Sequence, residues 1–408
     1  MQVADIAVFG ATSFVGRILC RHLVDRYGDH GEVRWLMAAR SVSRLEALRD
    51  SLGPRAANVR LLTADANHER SLFELCSAAR VVVSTVGPYS LYGEPLVAAC
   101  ATTGTDYCDL AGEVPWIRRM IAEYSTQAAR SGARIVHSCG FDSIPSDMGV
   151  QFLQRQAVER FGEPCGYVKM RVKAARGGLS GGTVASLLNV LKQARASPEV
   201  RRELASHYAL CPEPVPGTRQ PEVRSAQFDQ DFAAWVAPFL MAVINTRIVH
   251  RTNALLGHPY GREFCYDEAM LTGAGARGRL AAIGLAAGLA TFVTASSLAP
   301  TRWVLARFFL PAPGEGPNEE RQRTGFYDLR FLGRTRDGRK LACKVVGEGD
   351  PGYASTARML GEAAACLARD VSRDERKGGS WTPGAIFDDR LVAQLQRHAG
   401  IGFALTDD

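Results

Sequence analysis

The hydrophobic pattern of the first 140 residues alternates between short apolar runs and stretches with helical spacing. The run Ala4–Phe9 is mostly apolar, and the side chains that follow it recur at the spacing of an amphipathic helix. Apolar strands separated by helices are typical of a parallel sheet covered on both faces. The pattern therefore predicts an α/β fold with a doubly wound sheet. Its predicted strands are Ala4–Phe9, Val33–Ala39, Val59–Thr63, Val81–Val86, Asp106–Leu110 and Ile135–His137.

The pattern changes after residue 140. Val168, Met170 and Val172 alternate with basic residues, as on a strand with one polar face. Asp337 and Gly338 lie between two strand-like runs, which is typical of a β-hairpin. We therefore predict a second, α+β domain over residues 141–370, for binding substrate or a second copy of the chain. Residues 371–408 are expected to pack back on the core.

The stretch Leu280–Pro300 is apolar and about long enough to cross a bilayer. It is rich in small and hydroxylated residues, so the free energy of its insertion would be marginal. The sequence leaves three alternatives for the apolar segment 280–310: a buried or amphipathic helix, a helix lying on a membrane surface, and a membrane span. Basic flanks favour an anionic surface, and these are Arg277, Arg279, Arg302 and Arg307.

Composition narrows the function classes. A chain of 408 residues is too long for one ordinary core, so two packed domains are expected. The net charge of +7 suits acidic small molecules, phosphate carriers or an anionic membrane. No basic run is interleaved with aromatic residues, so nucleic acid is not a predicted partner. The ten cysteines show neither a CxxC pair nor metal-ligand spacing, and no signal peptide is recognisable, so we predict a reduced, cytoplasmic protein without a metal.

The loop "GATSFVG", residues 10–16, follows the first strand and opens a helix. Gly10 allows a tight turn, and Gly16 lets the helix approach the sheet closely, as in a dinucleotide-binding Rossmann domain. The pyrophosphate would lie on amides at the start of the helix. Ser13 stands where a glycine usually admits the phosphate. Its hydroxyl could donate a hydrogen bond there instead, provided that its φ is negative.

The second strand ends at Arg40 and Ser41 rather than at an acid. A guanidinium matches a 2′-phosphate bidentately, so residues 1–140 are predicted to bind NADP rather than NAD. Asp65 either faces the adenine or caps the next helix. Ligands gather at the carboxyl ends of parallel strands, so the turn after the fourth strand should lie under the nicotinamide. The predicted cofactor contacts are Gly10, Ala11, Thr12, Ser13, Phe14, Val15, Gly16, Arg40, Ser41, Asp65, Thr85, Val86, Gly87 and Pro88.

Several longer motifs resemble those of the saccharopine dehydrogenase-like oxidoreductases, and within them the trans-acting enoyl reductases that serve polyketide synthases making envelope lipids. The motifs are "GATSFVG" (10–16), "TVGPYSLYGEPLVAACATTGTDYCDLAGE" (85–113), "HSCGFDSIPSD" (137–147), "GGLSGGTVAS" (177–186), "NTRIVHRTNALL" (245–256) and "DPGYASTARMLGE" (350–362). The resemblance covers nearly the whole chain, and Ser13 departs from it. It implies NADPH-dependent reduction of an enoyl group in a lipid or polyketide intermediate.

Enoyl reduction needs hydride at the β-carbon, stabilisation of the enolate oxygen and a proton at the α-carbon. Tyr89 is the first candidate for the acid, because it follows the fourth strand. Tyr107 and Asp142 are further candidates, although Asp142 could instead cap a helix near Pro145. Residues that lie near the same strand ends are Asp109, Glu113, His137 and Asp147.

Alternatives to enoyl reduction stay open at this point. Cys139 could serve as the thiolate of a semialdehyde dehydrogenase, although this interpretation is disfavoured. Another carbonyl or imine substrate, and a non-catalytic NADP-binding protein at a lipid surface, are also consistent with the sequence. The expected partner is a lipid-type acyl substrate, either free, carrier-bound or on a polyketide synthase. Contact with the inner face of the plasma membrane and a homodimer are open alternatives.

Overall fold

The computed structural model describes residues 3–177, 181–213, 218–297 and 316–406. The first of its two sheets is parallel, with the strand order β13-β6-β5-β4-β1-β2-β3. The predicted doubly wound sheet is confirmed, and each predicted strand is found within two residues at either end. The strands are β1 Ala4–Phe9, β2 Trp35–Ala39, β3 Arg60–Thr63, β4 Ala79–Ser84, β5 Asp106–Asp109, β6 Arg134–Val136 and β13 Gly379–Trp381.

Both faces of this sheet are buried. Ile6 and Val8 point into one hydrophobic cluster, while Ala7 and Phe9 point into another on the opposite face. This alternation explains why the strand is apolar at nearly every position. The helices between the strands are α1 Phe14–Tyr27, α2 Val42–Leu52, α3 Glu69–Ala78, α4 Tyr89–Tyr92, α5 Glu94–Thr103 and α6 Val114–Ser131.

The second sheet also has seven strands, in the order β14-β12-β11-β7-β10-β9-β8. Only β7 and β10 pair in parallel among these neighbours. The predicted hairpin is confirmed as β11 and β12, and Gly338 in its turn has a φ of 92°. The strands are β7 Tyr167–Arg176, β8 Gln227–Asp229, β9 Ala234–Pro238, β10 Cys265–Gly273, β11 Phe326–Arg334, β12 Lys340–Glu348 and β14 Ile401–Thr406.

The C-terminal part of the chain returns to the first sheet earlier than we predicted. The helix Thr356–Arg369, which we placed in the second domain, packs against β1, β4, β5 and α1. Small residues allow this approach, since a Cβ added at Gly361 would lie 3.0 Å from Leu19. β13 then extends the first sheet and β14 the second. The remaining helices are α7 Ile144–Phe161, α8 Gly181–Ala196, α9 Pro198–Ala205, α10 Ala242–Leu255, α11 Gly275–Ser297, α12 Glu319–Thr324, α13 Thr356–Arg369 and α14 Pro383–Gln394.

The apolar helix α11 lies on the surface. Leu280 is 70% exposed, and Ile283 and Leu285 are also exposed. Of the helices in the described ranges, it alone has the length and apolar composition needed to cross a membrane. The alternative of a buried core helix is therefore wrong for this part of the segment. Residues 298–310, including Arg302 and Arg307, lie outside the described residues.

Candidate functional site

The glycine loop closes tightly against the end of β4. Gly10 has a φ of 85°, and an added Cβ would lie 2.7 Å from both Thr85 Oγ1 and Val86 Cγ2. A side chain at position 10 is therefore excluded by conformation and by space. At Gly16 a Cβ would lie 2.2 Å from the Gly10 carbonyl oxygen. Both glycines serve the close approach that the dinucleotide motif predicts.

Ser13 caps helix α1. Its φ is −67°, and its Oγ accepts the Gly16 N–H at 2.9 Å. The same oxygen lies 2.9 Å from Thr85 Oγ1, whose proton points to the Gly10 carbonyl at 3.0 Å. The Ser13 hydroxyl is thus used inside the loop, and the hydrogen bond to phosphate that we considered for it is not available in this arrangement.

The remaining loop residues leave room for a phosphate at the start of α1. Ala11 is buried and its N–H donates to the Ala38 carbonyl at 3.1 Å, while Thr12 is partly buried. Phe14 and Val15 line a cavity. Their amides belong to the first helical turn, where N–H groups have no intrahelical acceptor. These amides and the positive end of the helix dipole fit a pyrophosphate.

Arg40 and Ser41 lie at the carboxyl end of β2. Arg40 is exposed, and its guanidinium takes part in no hydrogen bond or ion pair among the residues described. Ser41 caps α2 by accepting the Arg44 N–H at 3.4 Å. The structure therefore places an exposed cation at the end of β2, and its contact with a 2′-phosphate stays a prediction.

Asp65 holds a turn and does not cap a helix. Its Oδ1 accepts the Asn67 N–H at 2.9 Å, while His68 is the N-cap of α3. The helix-cap alternative is therefore wrong. Asp65 is partly exposed at the end of β3, so a contact with adenine stays a prediction.

The turn after β4 forms the floor of the site. The Thr85 N–H donates to the Phe9 carbonyl at 3.0 Å, which fixes the turn beside the glycine loop. The peptide bond between Gly87 and Pro88 is cis, and Val86 packs against the core behind the sheet. Thr85 and Gly87 line the cavity, as expected for residues under a nicotinamide.

A cavity of about 250 Å³ lies between the first sheet and the second domain. The first domain contributes its loops, and the second domain contributes helices α8, α9 and α10. The lining residues are Ser13, Phe14, Val15, Thr85, Gly87, Tyr89, Leu110, Gly112, Glu113, Val114, Asp142, Gly181, Gly182, Thr183, Ser186, Leu187, Val190, Leu204, Leu240, Met241, Val243, Ile244, Gly352, Tyr353 and Thr356.

Tyr89 lines this cavity, but the proton of its hydroxyl group is already used in a hydrogen bond. Its hydroxyl donates to the Ser84 carbonyl at 2.9 Å and accepts the Leu110 N–H at 3.1 Å. Burial raises the pKa of the phenol well above its usual value. The hydroxyl ties the ends of β4 and β5 together, so the structure does not favour Tyr89 as the acid.

Tyr107 is not brought to the cavity. Its side chain is fully buried, and its ring packs edge-on against His137 at 5.9 Å. His137 Nδ1 lies 2.7 Å from Asp109 Oδ2, and Asp109 Oδ1 accepts the Ser138 N–H at 3.0 Å. These three side chains form a buried cluster behind the cavity wall, so the geometry does not support Tyr107 as a proton donor.

Asp142 lines the cavity, and no hydrogen bond joins its carboxyl group to another side chain within the described ranges. Burial raises its pKa to about 7. The helix-cap alternative is wrong, because Ser143 is the N-cap of α7 and no side chain caps that end. The Ser143 hydroxyl instead donates to Asn245 Oδ1 at 3.1 Å. Asp142 is the candidate acid that the structure favours.

Cys139 is fully buried and does not line the cavity. Burial raises the pKa of its thiol well above the usual value, which disfavours the reactive thiolate. The structure therefore does not support the semialdehyde dehydrogenase alternative, which needs Cys139 as its nucleophile. No group of three or more potential metal ligands is found in the described part of the chain.

Part of the cavity side that the second domain forms lies in a motif that the sequence does single out, 177–186, which contains Gly181, Gly182 and Thr183. Sequence reasoning missed the apolar residues beyond it, Leu187, Val190 and Ile244, because no local pattern distinguishes them from other apolar residues on helices. Tyr353 is a further omission. Its ring lies 4.9 Å from that of Phe14, which connects the second domain to the glycine loop.

Comparison with known proteins identifies the same kind of nucleotide-binding domain and the same overall fold. A family model described as the saccharopine dehydrogenase NADP-binding domain matches residues 6–136. The chain is 40% identical to a provisionally named trans-acting enoyl reductase of Mycobacterium tuberculosis, covering 98% of this chain and 97% of that protein. It is 37% identical to a trans-acting enoyl reductase of Mycobacterium ulcerans, covering 96% and 95%. Its fold is similar to that of saccharopine dehydrogenase (L-Glu forming) from Saccharomyces cerevisiae, with a TM-score of 0.55, 13% identity and 99% of each chain covered.

These findings confirm NADP as the cofactor of the first domain, and Arg40 is the residue expected to select it over NAD. Replacing Arg40 with Asp should weaken NADPH binding by roughly 10- to 100-fold, the loss expected for a charge-assisted hydrogen bond of about 1.5–3 kcal/mol. NADH binding should weaken much less. Fluorescence titration with both nucleotides measures this, and Arg130→Asp on α6 is the matched control. Equal affinity of the wild type for both nucleotides would contradict the assignment.

Proposed function

The chain belongs to the trans-acting enoyl reductases of the saccharopine dehydrogenase-like family, and we therefore propose that it reduces the double bond of an α,β-unsaturated thioester on a lipid-type substrate. The observation that carries this proposal is the cavity itself. It brings the turn under the predicted nicotinamide, at Thr85 and Gly87, together with the carboxyl group of Asp142.

The residues of the first domain hold and orient the cofactor. The amides of Phe14 and Val15 would hold the pyrophosphate, and Arg40 would hold the 2′-phosphate. Gly10 lets the loop pack closely against the end of β4, and Gly16 lets the start of α1 pack closely against the loop. When bound, NADPH supplies the hydride that the β-carbon of the substrate receives.

Asp142 supplies the proton. Hydride addition at the β-carbon breaks the double bond and leaves an enolate, which must gain a proton at the α-carbon. The carboxyl group of Asp142 donates this proton and later takes one back from water. A pKa of about 7 suits the task, because the group is partly protonated at neutral pH and gives up its proton readily.

Apolar side chains dominate the part of the cavity that the second domain contributes, including Leu187, Val190 and Ile244. This composition supports a substrate with a hydrocarbon chain over an amino-acid substrate, which would need charged partners. We propose that the thioester is carrier-bound or held by a polyketide synthase, in lipid biosynthesis.

Turnover tests the reaction type. We expect the wild type to oxidise NADPH in the presence of long-chain enoyl thioesters, and to do so poorly with 3-ketoacyl thioesters and cyclic imines. NADPH absorbance follows each reaction, and mass spectrometry of the product shows a gain of two hydrogens at the double bond. Reduction of the ketone or imine, with the enoyl thioester untouched, would contradict the proposal. Nucleotide binding without turnover of any of them would favour a non-catalytic protein.

The pH dependence tests Asp142. Its carboxyl group is protonated below its raised pKa and ionised above it, so kcat should fall as pH rises through about 7. Asp142→Asn should lower kcat roughly 100-fold and abolish this pH limb, because the amide cannot donate a titrating proton. A pH limb that survives the substitution would exclude Asp142 as the acid.

Tyr89→Phe provides the comparison for Asp142→Asn. It should keep the pH limb of kcat, because its hydroxyl proton is already given to the Ser84 carbonyl. It should lower the free energy of unfolding by about 1–3 kcal/mol, since it removes a buried hydroxyl that makes two hydrogen bonds. Loss of the pH limb with stability retained would restore Tyr89 as the candidate acid.

We also propose that helix α11 lies on an anionic membrane surface. Its exposed apolar residues have no cover among the described residues, and Arg277 and Arg279 stand exposed in its first turns. Each basic residue near an anionic surface contributes about 1 kcal/mol of binding. A lipid-type substrate would be reached from such a surface.

Flotation with liposomes tests the membrane proposal. The wild type should float with anionic vesicles and much less with neutral ones. Leu280→Asp should reduce flotation, because it places a charge on the apolar helix without touching the core. Val158→Asp alters an exposed valine on α7 and is the matched control. A protein that stays soluble with both kinds of vesicle would refute the proposal.

A further inference from the structure

Helix α8 presents one continuous face to the cavity. Thr183, Ser186, Leu187 and Val190 are spaced three, four and seven residues from the first, so they lie on the same side of the helix, and all four line the cavity. The polar pair is followed by the apolar pair along the helix. The apolar pair thus extends the apolar side formed by α9 and α10.

A buried carboxylate connects α8 to the turn under the nicotinamide. Glu113 is 1% exposed, and its Oε1 accepts the Tyr89 N–H at 2.8 Å and the Ser186 hydroxyl at 2.8 Å. Its Oε2 accepts the Ser90 hydroxyl. Ser90 in turn accepts a hydrogen bond from Asn189 Nδ2 at 2.6 Å. Two side chains of α8 are therefore bound, directly or through Ser90, to one carboxylate of the first domain.

The direction of these hydrogen bonds defines the role of Glu113. All three partners are donors to the carboxyl group of Glu113, which therefore holds Tyr89, Ser90 and Ser186 together. A second connection lies at the start of the helix as described, where the Gly181 N–H donates to the Tyr353 hydroxyl at 3.0 Å.

From this arrangement we infer that the cavity face of helix α8 binds the acyl chain of the substrate, and we call this face the acyl wall. We also infer that Glu113 is a positioning residue, which holds the acyl wall against the nicotinamide turn, the turn at residues 85–88. The inference rests on the proposed function. It assigns Leu187 and Val190 to the hydrocarbon chain and leaves the proton to Asp142. A thioester whose chain is too short to reach α8 would not depend on the cluster.

The first experiment breaks the connection from the side of α8. In the double variant Ser186→Ala, Asn189→Ala, the amides of residues 181–196 should exchange hydrogen for deuterium about tenfold faster, because local opening becomes easier. KM for a long-chain enoyl thioester should rise about tenfold, several times more than KM for crotonyl thioester, while the affinity for NADPH changes less than about twofold. Gln193→Ala, one turn further along α8, is the matched control. Unchanged exchange in the double variant would overturn the positioning role.

Variants of Glu113 separate positioning from proton donation. Glu113→Gln keeps one acceptor oxygen for the Tyr89 N–H and the Ser186 hydroxyl, so it should raise KM for the long-chain substrate less than Glu113→Ala, which should show the raised KM of the double variant. Both should keep the fall of kcat above neutral pH. If Glu113→Gln abolished turnover of the short and the long substrate alike and removed that pH limb, Glu113 would be the acid and the inference would fail.

The acyl wall is tested without turnover. A saturated long-chain acyl pantetheine thioester, titrated by calorimetry in the presence of NADP, should bind Val190→Phe about tenfold more weakly than the wild type, because the larger ring occupies the wall. Lys192→Phe adds the same ring on the exposed side of α8 and should bind as the wild type does. Equal binding to both variants would overturn the acyl assignment. If the wild type binds this thioester but reduces no enone, the proposed reaction fails while the acyl wall stands.

Discussion

The close approach of Gly10 to Thr85 is the constraint on which the rest of the site depends. A Cβ at position 10 would lie 2.7 Å from the Thr85 hydroxyl oxygen, so the end of β1 can meet the end of β4 only if residue 10 is glycine. The Thr85 hydroxyl then donates a hydrogen bond to the Gly10 carbonyl oxygen and is also hydrogen-bonded to the Ser13 hydroxyl. Ser13 in turn caps α1. One contact thus sets the position of helix α1, where we predict that the pyrophosphate binds, and of the turn at residues 85–88, which we predict lies under the nicotinamide.

A second consequence concerns the buried polar groups at the ends of β4, β5 and β6. Burying a polar group without a partner costs free energy, and several of these groups pair with one another. The Tyr89 hydroxyl joins two strand ends, Asp109 holds His137, and Glu113 accepts three donors. Asp142 differs from them, because no hydrogen bond joins its carboxyl group in the cavity to another side chain in the described ranges. The Asp142 carboxyl group can therefore exchange a proton with a substrate, because no neighbouring side chain among those described occupies it.

The same polar groups mark the limit of what the sequence alone can predict. A strand buried on both faces is a continuous run of apolar residues, which can be recognised in the sequence. The first sheet and the glycine loop could therefore be predicted closely. The sequence ranks Tyr89 before Tyr107 and Asp142 as the acid, whereas the structure favours Asp142, because the hydrogen-bond partners that decide this are supplied by other strands and loops. The role of Ser13 is hidden for the same reason, since its partner Thr85 lies 72 residues away. The return of α13 and β13 to the first sheet depends on contacts between segments that are distant in the sequence. The local spacing of hydrophobic residues does not predict such contacts.

The exposed helix α11 and the cavity are joined by α8. Helix α11 packs against α8, and Leu187 and Val190 of α8 line the cavity. Apolar surface left in water costs roughly 25 cal/mol per Å², so an uncovered helix such as α11 is stabilised by an apolar environment. If that environment is a lipid surface, a single helix separates it from the acyl wall. A hydrocarbon chain leaving the membrane could then reach the nicotinamide turn along α8 while remaining in contact with apolar side chains, and the carboxylate of Glu113 would fix the end of that route beside the reacting carbons.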